Sequence, residues 1–484
     1  MLLLFVLFFP LVAAALVYLS GNRQAKYVAL FLGFAELILS CFLKKHLTSG
    51  GLQPLVYSHA WISNPNISFS LSVDGLSLVL ILLTTFLIPF IILTTFKKEI
   101  DNARSFYSLI LLMQFALIGV FAASDGFLFY IFWELALIPI YFIALLWGEG
   151  KDREFRNRAI FKFFIYTLAG SLFMLLAFIW LYAKAGNSFN VTALYNLHLS
   201  SSEQAFVFIA FFLAFAIKIP IIPFHTWQAE TYKEAPGAGS MLLAGIMLKM
   251  GLYGLLRWLL PVVPQAVVTF TPVVIVLCVI GVVYGSVIAI KQTDMKKLIA
   301  YSSLAHVGLI AAGIFTLTKE GFEGSVIQMV SHGINVVALF FIAEIIFQRT
   351  GTFEISKLGG IRNIAPKFAT CFMIVVLAAV ALPTTNSFIG EFLLLYGVYE
   401  YNTWLSIIAG LTIILGAVYM FRMYQNVMLG ETNENTYTFK DLDWSEWAVF
   451  MPAIAAIFII GVYPAPLLNM IQPALDNILI YALR

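Results

Sequence analysis

Eight ionisable side chains fall in stretches that are otherwise apolar enough to lie in lipid: Glu36, Glu134, Lys218, Lys249, His306, His332, Glu344 and Glu391. His225 and Glu230 follow shortly after Lys218. A charge at membrane depth costs at least a few kcal/mol, so each of these is a functional-site hypothesis by default. Glu134 stands in Phe132-Trp133-Glu134-Leu135. Alone there it would be neutral; beside Lys218 it would be ionised. A Glu–Lys pair that opens and closes is a proton switch, because the stranded lysine can release its proton and the reformed pair restores both charges. Successive groups sit on successive apolar segments rather than along one. That describes a path across a helix bundle in the membrane plane, and imidazole, which titrates near neutrality, suits its relay stations.

Simpler readings exist for some of these residues. His225 and His332 also fit core histidines satisfied by backbone. Glu36 reads as a lone interhelical contact, and Glu344, near the end of its segment, can equally snorkel. Lys218, Glu134 and Glu391 resist a structural explanation, because burying them costs too much.

The elements that hold these groups follow from the prolines. Lys218 directly precedes Ile219-Pro220, and Pro223 comes soon after. Proline lacks an N–H and its ring clashes with the preceding turn, so the helix is expected to break just after Lys218. A second interruption is expected at Leu382-Pro383-Thr384-Thr385-Asn386-Ser387. Broken helices at membrane depth survive where they are buried in protein or line a wet cavity, and they point to ion sites in transporters.

With 61% hydrophobic and 11% charged residues in 484, and mean hydropathy +0.94, the chain is a polytopic membrane protein. Apolar runs of about 20 residues are predicted near 2–20, 27–43, 75–96, 106–123, 126–147, 159–183, 205–231 (broken), 238–260, 266–290, 297–316, 324–347, 367–400 (broken), 404–428 and 445–463. The fold class is therefore all-α, with about fourteen transmembrane helices in a single membrane domain, 1–484. The broken helices are the seventh and twelfth. Five is odd, so two five-helix units with this offset have opposite orientations, giving an inverted repeat: 1–103 (helices 1–3), 104–260 (first repeat), 261–428 (second repeat), and 429–484 (an inner loop and helix 14). Of 28 Lys and Arg, 20 fall in one set of alternate loops and six in the other, which puts both termini outside. Gly150 and Asn433 are then inner, Gly51 and Ser200 outer. The loop 45–74 is expected to cover outer helix ends, and Met1 to Leu19 to be a retained first helix rather than a signal peptide.

Cys41, Cys278 and Cys371 are far apart, with no CxxC and no cluster for iron–sulfur or zinc. No G-x-G-x-x-G or Walker loop offers a nucleotide or flavin site. No basic aromatic face supports nucleic-acid binding.

Phe132-Trp133-Glu134-Leu135, Lys218-Ile219-Pro220, Pro223-Phe224-His225-Thr226-Trp227, Glu234-Ala235-Pro236, Leu242 to Gly251, Tyr301 to Gly308 and Ser387-Phe388-Ile389-Gly390-Glu391-Phe392 resemble the antiporter-like subunits of respiratory complex I. The resemblance covers nearly the whole chain. It implies a proton path linking Glu134, Lys218, Lys249, His306 and Glu391, with Glu134 and Lys218 as switch pair, Lys249 as central relay, and His225, His332 and Glu230 as auxiliaries. A glutamate at position 391 looks like the M type; the sibling L and N types usually carry lysine. No cofactor is implied on this chain; FMN, Fe-S clusters and quinone are expected on partner subunits. The implied partners are L-type and N-type neighbours in a bacterial plasma membrane. One departure stands out. After His-Thr-Trp the family commonly reads Leu-Pro-Asp-Ala-His, whereas this chain has Gln228-Ala229-Glu230-Thr231-Tyr232. That puts an inner-side relay through position 232 in doubt. The alternative is a subunit of a multi-subunit Na+/H+ antiporter, which shares the switch. A stand-alone solute carrier would need a substrate-sized polar cavity at mid-depth, and a scaffold leaves the buried charges unexplained.

Overall fold

A computed structural model describes residues 1–49, 54–150 and 152–484. Gly51, for which an outer location is expected, and Lys151, one of the loop cations, lie outside the described residues.

An apolar segment in lipid must satisfy its own backbone, and the α-helix does so. Among the described residues, thirteen helices are long and apolar enough to cross a membrane. They are α1 (Leu2–Leu19), α2 (Asn22–Leu47), α3 (Gly75–Thr94), α4 (Ala103–Ala122), α5 (Gly126–Trp147), α6 (Arg153–Lys184), α8 (Ser201–Lys218), α10 (Gly237–Val262), α11 (Pro264–Lys291), α12 (Met295–Phe315), α13 (Lys319–Thr350), α16 (Thr403–Met428) and α17 (Trp444–Val462). A further crossing is the broken pair α14 (Pro366–Ala379) and α15 (Asn386–Tyr401). The short helix α7 (Val191–Tyr195) lies between crossings, and α9 (Gln228–Glu234) continues the seventh run beyond its break after Lys218. The fourteen expected crossings are all there, with the interruptions in the seventh and twelfth.

Helix starts leave backbone N–H groups without partners. Aspartates supply them: Asp74 accepts from Ser77 N at 3.0 Å, Asp125 from Phe127 N at 3.0 Å and Leu128 N at 3.1 Å, and Asp294 from Lys297 N at 3.0 Å. Such a cap stabilises by about 1 kcal/mol.

Two elements were not foreseen. The loop 45–74 contains an antiparallel hairpin, β1 (Leu55–Ile62) paired with β2 (Ile67–Val73). It is tied to the bundle by Ser124 Oγ to Ser70 Oγ at 3.0 Å and by Asn66 N to Tyr182 Oη at 3.1 Å. After the last crossing comes α18 (Ala465–Ala482). It packs on α3, α10 and α13, and at Gly75 any Cβ would run into the Met470 carbonyl oxygen.

Ion pairs sort by end. Lys97, Lys98, Glu149, Lys296, Glu344, Arg349 and Glu446 pair among themselves at the lysine-rich end. Arg257–Asp74 and Lys184–Glu203 hold the other. The core between them is densest around α10, α12 and α13, almost wholly buried.

Candidate functional site

α10 is buried along its whole length and is not a regular helix. Wide π-turns at Leu243–Met247 and Leu255–Leu259 flank the turn that carries Lys249. Such turns recur at functional sites. Glycines let neighbours close in. A Cβ at Gly245 would lie 2.6 Å from Val337 Cγ2 on α13, and one at Gly251 would lie 2.6 Å from Ile219 Cγ1 and 3.3 Å from Lys218 Cβ.

Lys249 is fully buried and donates to Ala244 O at 2.7 Å. Its Nζ also lies 2.8 Å from His332 Nδ1, and His332 Nε2 lies 3.0 Å from Ser303 Oγ. The chemistry follows from donor counting. An ammonium at position 249 must donate, so His332 then carries its proton on Nε2 and gives it to Ser303. A neutral Lys249 could instead accept from a proton on Nδ1. The tautomer of His332 thus follows the charge on Lys249.

The series continues. The His306 ring centroid is 6.2 Å from that of His332. His306 Nδ1 is 2.9 Å from Glu391 Oε1, close but out of line for a hydrogen bond. Gln328 Nε2 donates to the same oxygen at 3.1 Å. A cavity of about 20 Å³ between them is lined by Ser302, Ser303, His306, Gln328, His332 and Asn335. That is room for about one water. The break before α15 is stitched to α13 by Asn335, which donates to Asn386 Oδ1 at 3.1 Å and Ser387 Oγ at 2.9 Å.

The first half is arranged differently. Lys218 ends α8, and its ammonium lies 5.4 Å from the Trp133 ring centroid with no hydrogen-bond partner among the described residues. Glu134 Oε1 also has no partner among the described residues. Glu134 neighbours Trp133 in the chain, and no ion-pair contact joins it to Lys218 among the described residues.

Not every sequence candidate joins the series. Glu230 pairs with Lys162 at 3.5 Å, and His225 faces the Tyr284 ring at 5.0 Å, both away from Lys249. Tyr232 is fully buried, its hydroxyl unpartnered, between Trp227 and Phe340. Glu36 receives Ser40 Oγ at 3.3 Å. Glu344 does not snorkel. It shares Lys98 with Glu149, which also pairs with Lys296, at 3.1, 2.5 and 2.7 Å respectively. Burial would push the Glu149 carboxyl up, but Lys296 and Lys98 outweigh it and hold it at about 2.

The reading of charges alone missed Ser303 and Gln328. Their spacing carried a signal: Ser303 and His306 are three apart, Gln328 and His332 four apart, so each pair shares a helix face. The Glu149–Lys296 pair had no local signal, being 147 residues apart.

The family model for the membrane domain described as "NADH:quinone oxidoreductase/Mrp antiporter, TM" matches residues 123–416. The chain belongs to this family. Among its relatives, NADH-quinone oxidoreductase subunit M of Rickettsia conorii is 40% identical, with 98% of each chain covered. The subunit of the same name from Rhodobacter capsulatus is 38% identical, covering 99% of this chain and 96% of that one. A chain in the structure of respiratory complex I from Thermus thermophilus with bound NADH superposes with TM-score 0.91 at 29% identity, covering 100% of both. Lys218, Lys249, His306, His332, Glu134 and Glu391 all lie within the span that matches the NADH:quinone oxidoreductase/Mrp antiporter family. The hairpin, α1 to α4, α17 and α18 lie outside it.

Proposed function

We propose that this chain is the M-type proton-translocating subunit in the membrane arm of an NADH:quinone oxidoreductase, next to L-type and N-type neighbours. In this reading it lies in a bacterial plasma membrane with both termini outside and the lysine-rich end inside. The redox groups, FMN, Fe-S clusters and quinone, belong to partner subunits. The relay is Glu134, Lys218, Lys249, His332, His306 and Glu391. The observation that carries it is the buried series from Lys249 through His332 and Ser303 toward His306 and Glu391.

The chemistry is a sequence of short transfers. Lys249 gives a proton to His332 Nδ1, and His332 releases its Nε2 proton to Ser303. A water in the 20 Å³ cavity passes it to His306, and Glu391 receives it. The energy arrives from partner subunits as a push on the Glu134–Lys218 pair: when it closes, Lys218 is held charged, and when it opens, its proton is free to move toward Lys249. The glycine contact at Gly251 brings Lys218 against α10 and supports this order. His225 and Glu230 serve as auxiliaries at the inner edge.

Single substitutions test the reading. Glu134→Gln and Lys218→Ala should each abolish most NADH-driven proton pumping in vesicles while the complex still assembles. Normal pumping by the Lys218→Ala complex would refute the relay. The Na+/H+ antiporter alternative predicts Na+-dependent pumping, which the same vesicles report.

A further inference from the structure

The lysine-rich end holds a second group of buried charges, off the Lys249 series. Four elements meet there: Lys98 from the loop after α3, Glu149 from the loop after α5, Lys296 from the start of α12, and Glu344 from α13. Two carboxylates and two ammonium groups leave no net charge. Every strong donor of the group is used except toward one atom. Glu344 Oε1 takes Lys98 Nζ at 3.1 Å and Gln348 Nε2 at 3.0 Å. Glu344 Oε2 is buried and has no partner among the described residues. A buried acceptor left empty is unfavourable, and this oxygen is the one position of the group where a proton can be added without displacing a donor.

The site is also reachable. A cavity of about 310 Å³ has Glu99 and Asp101 at its exposed rim and Glu149, Gly237 and Glu344 at its floor. Lys98, between rim and floor, is 34% exposed on its side chain, Glu344 only 4%. A Cβ on Gly237 would meet Glu344 Oε2 at 2.4 Å, so the empty oxygen lies against the first turn of α10. From there α10 and α13 run together into the membrane. Lys249 is twelve residues beyond Gly237, and His332 twelve residues before Glu344, each about 18 Å away.

We infer that Glu344 is the group that loads protons from the inner side, with the Glu99 and Asp101 rim as collector. The carboxylate Oε2 takes a proton from cavity water, and the group goes from net zero to one positive charge. Lys98 then bonds to Glu149 alone. Besides its own burial, the charged groups that act on Glu344 are Glu149, Lys98 and Lys296; the first turn of α10 presents the backbone N–H of Gly237, bonded to Glu149 at 3.3 Å. The inference rests on the proposed direction of translocation.

Everted vesicles carrying the whole complex expose the inner face to the medium and test it. Glu344→Gln should slow proton uptake by at least about tenfold at pH 8.5, where protons are scarce. At pH 6 the loss should be under about twofold, because bulk protons then suffice. Glu344→Asp, which keeps the titrating group, should restore the wild-type pH profile. Uptake of wild-type profile in Glu344→Gln, or an equal loss at every pH that Asp does not rescue, would overturn the inference. Failure of the relay itself reads out elsewhere: normal uptake in Lys249→Met vesicles would refute that relay whatever Glu344 does.

Discussion

Glu149 gives a prediction whose size can be worked from the structure. Its side chain is 7% exposed and Lys296, 2.7 Å away, is 0% exposed. Glu149→Gln would leave the Lys296 ammonium with Ala235 O at 2.9 Å and the face of Phe353 at 4.8 Å. Stranding one member of a buried pair costs about 3–5 kcal/mol. The carboxyl gives a similar figure. It falls from 4.5 to about 2, and at 1.36 kcal/mol per unit that is about 3 kcal/mol. The sign follows: a depressed carboxyl stabilises fully above pH 4.5 and loses that contribution as pH falls through about 2. The whole effect is therefore present at neutral pH. Thermal melting of the solubilised complex, followed by release of this subunit on native gels, should shift down by on the order of 5 °C. The double variant Glu149→Gln/Lys296→Met removes both charges and should recover most of the loss, since Lys98 keeps Glu344 at 3.1 Å. A double variant as unstable as the sum of the two singles would refute the reasoning.

Three further outcomes are expected. Gly251→Ala places a methyl 2.6 Å from Ile219 Cγ1 and 3.2 Å from Phe215 O; it should destabilise by about 1–3 kcal/mol and lower pumping, and an unchanged melt would remove the close α8–α10 contact from the account. Ser303→Ala takes away the partner of His332 Nε2 at 3.0 Å; one such bond is worth about 1 kcal/mol, so the pumping rate should fall about fivefold without loss of assembly, and a normal rate would exclude Ser303 from the path. Glu391→Gln cannot titrate beside His306 and should lower pumping strongly, while Glu391→Lys should recover part of it; an active Gln variant would end the relay role of Glu391.

The sequence made the helix count legible because lipid leaves little choice: an apolar run of about 20 residues must be a helix. Both breaks fall at Pro220 and Pro383, where polar or closely spaced proline residues follow, whereas Pro10, Pro89, Pro139, Pro272 and Pro452 sit inside unbroken helices. The buried charges were legible for the same reason, their cost. The hairpin was not, since a strand of seven or eight residues carries a weak periodic signal and its partner lies across a turn. Nor was α18, which follows the last long apolar run with Asn469, Gln472 and Asp476 interspersed. At the site, Lys249, His306, His332 and Glu391 could be named, but their order of contact could not, because it depends on how α10, α12, α13 and α15 pack. Glu344 stayed open between two readings for that reason: Lys98, which it shares with Glu149, is 246 residues away in sequence. Lys218 and Glu134 were expected as a pair, and the contact of the ammonium with the Trp133 ring at 5.4 Å depends on packing that no local pattern shows.

The account stands on Lys249 passing protons to His332 across 2.8 Å. The direct measurement is the number of protons pumped per NADH oxidised in sealed vesicles carrying the Lys249→Met complex, with assembly checked on native gels. Methionine fills the space but holds no proton. The account predicts a fully assembled complex whose proton yield per NADH drops clearly below wild type; an assembled complex with the wild-type yield would contradict it.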